Sequence, residues 1–206
     1  CIAGTLRIAY AFHFLVFVPN VDTGNALLKG VRSVTGGDAA VIRKLDKNVR
    51  IVMDPDGNGM IATSADERAQ RGGIVFDAGF GRIKAGISDR FDNQAYISNV
   101  ADWLEQNNAS SAKPRILIYD ASPRSASAQG VVGKNIIAAL ERQGFPIRVA
   151  DRQGLPQLSG SQLEAYSQVW LLFGNTAQHL SESELSAVGA VVKGGAATET
   201  EMKEGK

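Results

Sequence analysis

"RILIYDASPRSASAQGVVGKNIIAALERQGFPIRVAD", residues 115–151, sets two short apolar runs on either side of one amphipathic stretch. The first run, 115–120, is apolar from Ile116 to Tyr119 and stops on an aspartate, the pattern of a strand buried on both faces. Residues 131–144 carry their apolar side chains at helical spacing and stop on Gly144. The second run, 146–151, starts on proline and again ends on aspartate. Strand, helix and strand in so short a compass imply parallel strands joined by a right-handed crossover. Toward the C-terminus, "SGSQLEAYS" (159–167) predicts a short helix and "QVWLLFG" (168–174) a third strand. "SESELSAVGAVVKGG" (181–195) then opens with Ser181 and Glu184 at capping-box spacing and closes on Gly194 and Gly195.

Toward the N-terminus the rhythm changes at "EQNNASSAKP", residues 105–114, a polar stretch that ends in proline. Before it, 48–53, 60–64 and 72–80 have strand character, and 93–106 is an amphipathic helix with Tyr96, Val100 and Leu104 on one face and Trp103 beside them. The expected organisation is therefore a first region at 1–104, a linker at 105–114, a strand-helix region at 115–195 and a disordered polar tail at 196–206. Length and 44% hydrophobic content allow one large core or two small ones, and one compact domain is favoured over two.

Charge narrows the list of partners. Lys and Arg number 22 against 21 for Asp and Glu, a net charge of +1, and no segment concentrates basic residues as a nucleic-acid surface does. Nucleic acid is not an expected partner. A lone cysteine, Cys1, excludes an intrachain disulfide and a cysteine-rich zinc site. The longest apolar run, 8–18, is shorter than the roughly 20 residues that span a bilayer, so it is expected in the core rather than in a membrane. None of this fixes a compartment.

Residues 115–195 resemble the opening half of class I glutamine amidotransferase-like domains, in which a strand ending in FG or GG precedes an "LSxxELxAVxxxVxxGG" helix; here "QVWLLFGN" precedes "LSESELSAVGAVVKGG". The closing half of such domains is similar to "NALLKGVRSVTGGDAAVIRKL", "GGIVFDAGFGRI" and "NQAYISNVADWL", which in this chain come first, within 25–104. The resemblance implies an α/β three-layer sandwich of flavodoxin-like type with a mainly parallel sheet, circularly permuted, or else the end of one repeat followed by the start of the next. Permutation is physically easy, because domain termini lie at the surface and often close together. It would place the strands at 73–76 and 116–119 in one sheet.

Catalysis of the family's kind needs a cysteine on a sharp strand-to-helix turn, with a histidine and an acid to activate it. Cys1 leads "CIAGTLRIAYA" without a preceding strand, and neither His13 nor His179 is followed by the family's proline and acid. The leading reading is therefore a non-catalytic ligand-binding or protein-interaction domain. A Cys-dependent hydrolase or amidotransferase-like enzyme using Cys1 is the alternative.

Loops after parallel strands are where such folds bind ligands. A small anionic ligand over Ser122, Arg124, Ser125, Gly174 and Asn175 is the expected site, with a protein partner as the other candidate. "DASPRSAS" also approaches the D-x-S-x-S metal motif of a von Willebrand A module, but Arg124 stands where the second serine belongs and Ser125 is one place late. This makes a metal-dependent adhesion module a further alternative. "DPDGNG" places Asp54, Asp56 and Asn58 like the first ligands of a calcium loop, yet Ala65 occupies the twelfth position and the flanks are strands, so a hairpin turn is the expectation and calcium the alternative. Finally, Asp77, Arg82, Asp89 and Arg90 in "DAGFGRIKAGISDR" form a polar cluster with the default reading of surface ion pairs.

Overall fold

The structure, a computed structural model, describes residues 9–10, 16–17, 25–35, 40–41, 49–53, 61–64, 73–79, 82–84, 91–107, 114–121, 132–173 and 180–192. In chain order the strands are β1 (Ala9–Tyr10), β2 (Val16–Phe17), β3 (Val34–Thr35), β4 (Ala40–Val41), β5 (Val49–Met53), β6 (Ile61–Ser64) and β7 (Ile74–Asp77). Helix α1 (Asn93–Gln106) follows, and then β8 (Ile116–Asp120), α2 (Lys134–Arg142), β9 (Ile147–Asp151), α3 (Gly160–Leu163), β10 (Gln168–Leu172) and α4 (Glu182–Val192). The protein is thus mixed α/β, with a parallel three-stranded sheet and four helices among the described residues.

Strand β8 is buried at all five positions because it lies between two neighbours and under two groups of helices. It pairs in parallel with β9 on one side and β10 on the other, from Ile116 opposite Ile147 and Gln168 to Asp120 opposite Asp151 and Leu172. Side chains alternate across a strand, and the packing separates accordingly. Ile116 and Ile118 join Ile136 and Leu140 of α2, Tyr96, Ile97, Val100 and Ala101 of α1, and Trp170. Leu117 and Tyr119 instead join Leu155, Leu158, Tyr166 and Leu180, together with Leu163 of α3 and Val188 of α4. The crossover from β8 to β9 therefore runs on one face and that from β9 to β10 on the other. Two right-handed crossovers that proceed in opposite directions along a sheet must do this.

The remaining strands pair antiparallel. Strands β5, β6 and β7 form a three-stranded meander with Met53 opposite Ile61 and Ile61 opposite Asp77, while β1 pairs with β4 and β2 with β3. The strands at 73–76 and 116–119 consequently lie in different sheets, and parallel pairing among the described residues is confined to the second half. Both halves nevertheless feed one apolar cluster: Leu27, Leu28, Val31, Val52 and Ile61 are buried in it with Ile116, Ile118, Ile136 and Trp170. Residues 54–60 connect the adjacent antiparallel strands β5 and β6, which is the topology of a hairpin; Asp54, Asp56 and Asn58 themselves lie outside the described residues.

Polar contacts set the direction of α1 against the sheet. Near its C-terminal end, Glu105 accepts hydrogen bonds from Ser167 Oγ at 3.0 Å and Gln168 Nε2 at 3.1 Å, and Gln168 Nε2 also donates to the Ala101 carbonyl at 2.9 Å. Ser167 precedes β10 and Gln168 begins it, so α1 ends at the amino edge of the parallel sheet. Its 14 residues extend about 21 Å, longer than a five-residue strand at about 3.3 Å per residue, so its first turn reaches the carboxyl edge.

Candidate functional site

The carboxyl edge of the parallel sheet is where the chemistry collects. Helix α2 enters β9 through a tight turn at the amino edge, where Ile116 N–H donates to the Pro146 carbonyl at 3.1 Å, so the amino end of α2 lies at the opposite edge, beside the end of β8. There the Gly133 N–H donates to the Ile83 carbonyl at 2.9 Å, and Lys84 forms an antiparallel bridge with Val132. These contacts pin the segment after β7 against the start of α2. Arg82 is the residue directly before the pinned Ile83.

Arg82 is only 1% exposed, which corrects the expectation of a surface ion pair. The correction has a steric cause. Gly79 N–H donates to Asp77 Oδ1 at 2.7 Å and Arg82 N–H to the Gly79 carbonyl at 3.1 Å, so the chain doubles back and brings Arg82 onto Asp77. A Cβ at position 79 would meet the guanidinium end of Arg82, which would have to shift to admit it. Arg82 Nη1 donates to Asp77 Oδ1 in a short ion pair. Its Nε and Nη2 are buried and make no hydrogen bond among the described residues. The same guanidinium lies 5.8 Å from the ring centre of Tyr96, in the first turns of α1. Tyr96 is fully buried, and its hydroxyl lies near Asp77 but makes no hydrogen bond among the described residues. Burial above all, and then the Asp77 charge, raise the Tyr96 hydroxyl well above its usual range against the smaller opposing pull of Arg82, so it stays protonated. Asp89 and Arg90 of the same sequence cluster lie outside the described residues.

Neither helix that points at this region is capped by its own first residue. The Asp92 side chain turns away from α1 to accept from the Arg32 and Ser33 N–H groups at 2.9 and 3.1 Å, hydrogen bonds that, with the Arg32 charge, outweigh burial and hold its carboxyl below the ordinary range. At the start of α2 stands Gly133, which has no side chain to offer. Helix amino ends carry unsatisfied N–H groups and a partial positive charge, so two of them with a buried guanidinium make this edge favourable for an anion.

On the other face, the buried carboxylate of Glu184 is fully engaged. It accepts from Arg152 Nη1 at 3.1 Å, Arg152 Nη2 at 3.4 Å, Leu158 N–H at 3.2 Å, Ser181 N–H at 2.9 Å and Ser181 Oγ at 3.1 Å. This is a capping box joined to a salt bridge, and it holds α4 against the loop after β9. Asp120 and Asp151, register partners at the ends of β8 and β9, are both buried and both engaged; Asp151 Oδ1 accepts from the Gln153 and Gly154 N–H groups.

The residues expected from sequence to bind an anion cannot be placed. Ser122, Arg124, Ser125, Gly174 and Asn175 lie outside the described residues, as do Cys1, His13 and His179. Their points of departure are described, however. Strand β8 ends on Asp120 and β10 on Leu172, adjacent and in register, with Ala121 N–H donating to the Leu172 carbonyl at 2.9 Å. The segments carrying the serines and the glycine therefore leave from neighbouring strand ends. Among the described residues no group of three His, Cys, Asp or Glu side chains is arranged to hold a metal ion, and no helix is long and apolar enough to cross a membrane.

Sequence reasoning missed the buried state of Arg82 and any role for Tyr96. The available signal was Gly79 between Asp77 and Arg82, where the arginine, once folded inward, lies against the glycine. No protein-family model matches the chain, and no curated protein or solved structure matches it either.

Proposed function

We propose that this chain is a non-catalytic ligand-binding domain that takes a small anionic ligand at the carboxyl edge of the β9-β8-β10 sheet, in a three-layer α/β arrangement related to the amidotransferase-like fold. The observation that supports this is strand order. Of three consecutive parallel strands the first lies in the middle, so the connections leaving β8 and β10 diverge to opposite faces and open a crevice between the two strand ends. In open parallel sheets ligands occupy that crevice. Ser122 and Ser125 follow β8, Gly174 and Asn175 follow β10, and short polar side chains and free backbone N–H groups suit an anion.

The test is a thermal-shift series with small phosphates and carboxylates at matched ionic strength. At least one anion is expected to raise Tm, with the shift reduced in a Ser122→Ala, Ser125→Ala double variant. If no anion moves Tm, the ligand-binding reading fails and the protein-interaction alternative takes its place.

A further inference from the structure

We propose that the unpaired edge of Arg82, with the hydroxyl of Tyr96, is the group in this fold that grips the ligand's carboxylate or phosphate. The inference deepens the reading above and rests on it, because it assumes that the carboxyl edge of the sheet takes an anion.

The argument starts from which nitrogens are free. A guanidinium offers five N–H donors in a fixed fork and cannot be deprotonated. Arg82 spends Nη1 on Asp77, and Nε and Nη2 remain buried without a partner. Those two nitrogens share one side of the guanidinium plane and point the same way. They form the edge that receives the two oxygens of a carboxylate or phosphate as parallel hydrogen bonds. A neutral acceptor with one oxygen fills half of that edge; a planar or tetrahedral oxyanion fills all of it.

Leaving such an edge empty is costly. A buried donor without a partner forfeits the hydrogen bond it made to water, and a charged one forfeits more. Arg82 carries two unpaired nitrogens, and the Tyr96 hydroxyl, at 0% exposure, makes a third unsatisfied polar group beside them. Native interiors leave few such groups, and clusters of them call for a missing partner. The site's surroundings choose the sign of that partner. The amino end of α1 carries Tyr96, and that of α2 is tied by the Gly133 hydrogen bond to the residue after Arg82, so two helix ends with partial positive charge lie close to the guanidinium. Asp77 neutralises one side of the guanidinium only, and Asp120 at the end of β8 is engaged by partners of its own. The tyrosine, protonated, donates the third hydrogen bond. With Arg82 so deeply buried, the anionic group is enclosed when bound, which restricts it to a terminal carboxylate, a phosphate or the free ion.

The experiment uses the full chain with inorganic phosphate and with acetate, each against chloride at equal ionic strength. Two readouts are followed: Tm, and the Nε–H resonance of Arg82 in nitrogen-15 spectra. The expected result is that one of the two anions raises Tm and moves the Arg82 Nε–H signal as the hydrogen bond forms; which one does so identifies the ligand group. Arg82→Lys keeps the charge but loses the fork, and is expected to weaken binding at least tenfold. Tyr96→Phe removes one donor and is expected to weaken it about fivefold. Should Arg82→Lys fail to fold, the Nε–H signal of the unaltered protein decides: a resonance unmoved at saturating anion overturns the assignment. An anion that stabilises both the unaltered protein and Arg82→Lys equally, but not the Ser122→Ala, Ser125→Ala variant, leaves the edge-binding reading standing and removes Arg82 from it. If neither anion has any effect, the fork is filled by water and both readings fall.

Discussion

Gly73 shows how closely single residues are determined here. A Cβ at this position would lie 2.5 Å from Trp103 Cζ3 and 3.1 Å from Asn107 Cβ, and the Gly73 N–H donates to the Asn107 carbonyl at 3.2 Å. The start of β7 is thus pressed against the last turn of α1 with room for hydrogen only. Gly73→Ala is expected to lower stability by about 1–3 kcal/mol, the usual effect of overpacking, measured as a shift of the urea midpoint without a change in slope. A neutral result would mean that the indole swings aside freely. Arg82 teaches a different lesson at the same scale. In "DAGFGRIKAGISDR" every polar residue looks solvated, because the pattern of the segment holds no sign of the helix ends that later cover it. Those ends come from α1 and α2, the second of them some fifty residues on in the sequence. Burial created by distant elements leaves no local trace.

At the scale of elements, α4 depends on one carboxylate. Glu184 is pulled two ways: burial raises its pKa, whereas hydrogen bonds from the Ser181 backbone, Arg152 and the Leu158 backbone lower it and prevail. A carboxyl depressed in the folded state stabilises the fold fully above its unfolded value, about 4.3, and that contribution is lost as pH falls through the folded value. The acid limb of the stability curve, below about pH 4, is therefore expected to flatten in Glu184→Gln. At pH 7 the same variant is expected to lose about 1–3 kcal/mol, since charged hydrogen bonds become neutral ones. Chemical denaturation at pH 3, 4, 5 and 7 checks both statements, and an acid limb unchanged by the substitution would refute them. The capping-box spacing of Ser181 and Glu184 made the start of this helix legible in sequence, as did the glycine stop after α2 and the apolar run of β8. Those signals are local, and the elements they predict at 93–106, 115–120, 146–151 and 168–174 agree with α1, β8, β9 and β10 to within two residues at each end.

Pairing is where the whole molecule departs from expectation. A run such as 72–80 shows that a strand forms but not which neighbour it takes, since alternation fixes faces and leaves partners open. The meander of β5, β6 and β7 is satisfied by hairpin-type neighbours, and the parallel sheet closes on its own three strands, so among the described residues four sheets form, with the two-stranded β1-β4 and β2-β3 pairs, where one was expected. Their side chains still share a core. Ile61 of β6 and Ile136 of α2 are fully buried in the same cluster. Substituting either with alanine is expected to cost about 2–5 kcal/mol and to move one common unfolding transition, with far-ultraviolet circular dichroism and tryptophan fluorescence changing together. Two separable transitions, each sensitive to only one of the substitutions, would show that the halves fold apart.

That shared cluster has a consequence for how the protein comes into being. Leu27, Val52 and Ile61 precede in the chain the residues that complete their cover, Ile116, Ile118, Ile136 and Trp170, while Tyr96, Ile97 and Val100 of α1 join the same cluster from between them. During synthesis the segment up to α1 can bury only the part of this cluster that Tyr96, Ile97 and Val100 cover, and the rest stays open until the parallel strands follow. Completion of the cluster awaits β10, so the nascent chain is expected to expose apolar surface for a time, the condition in which holding chaperones act.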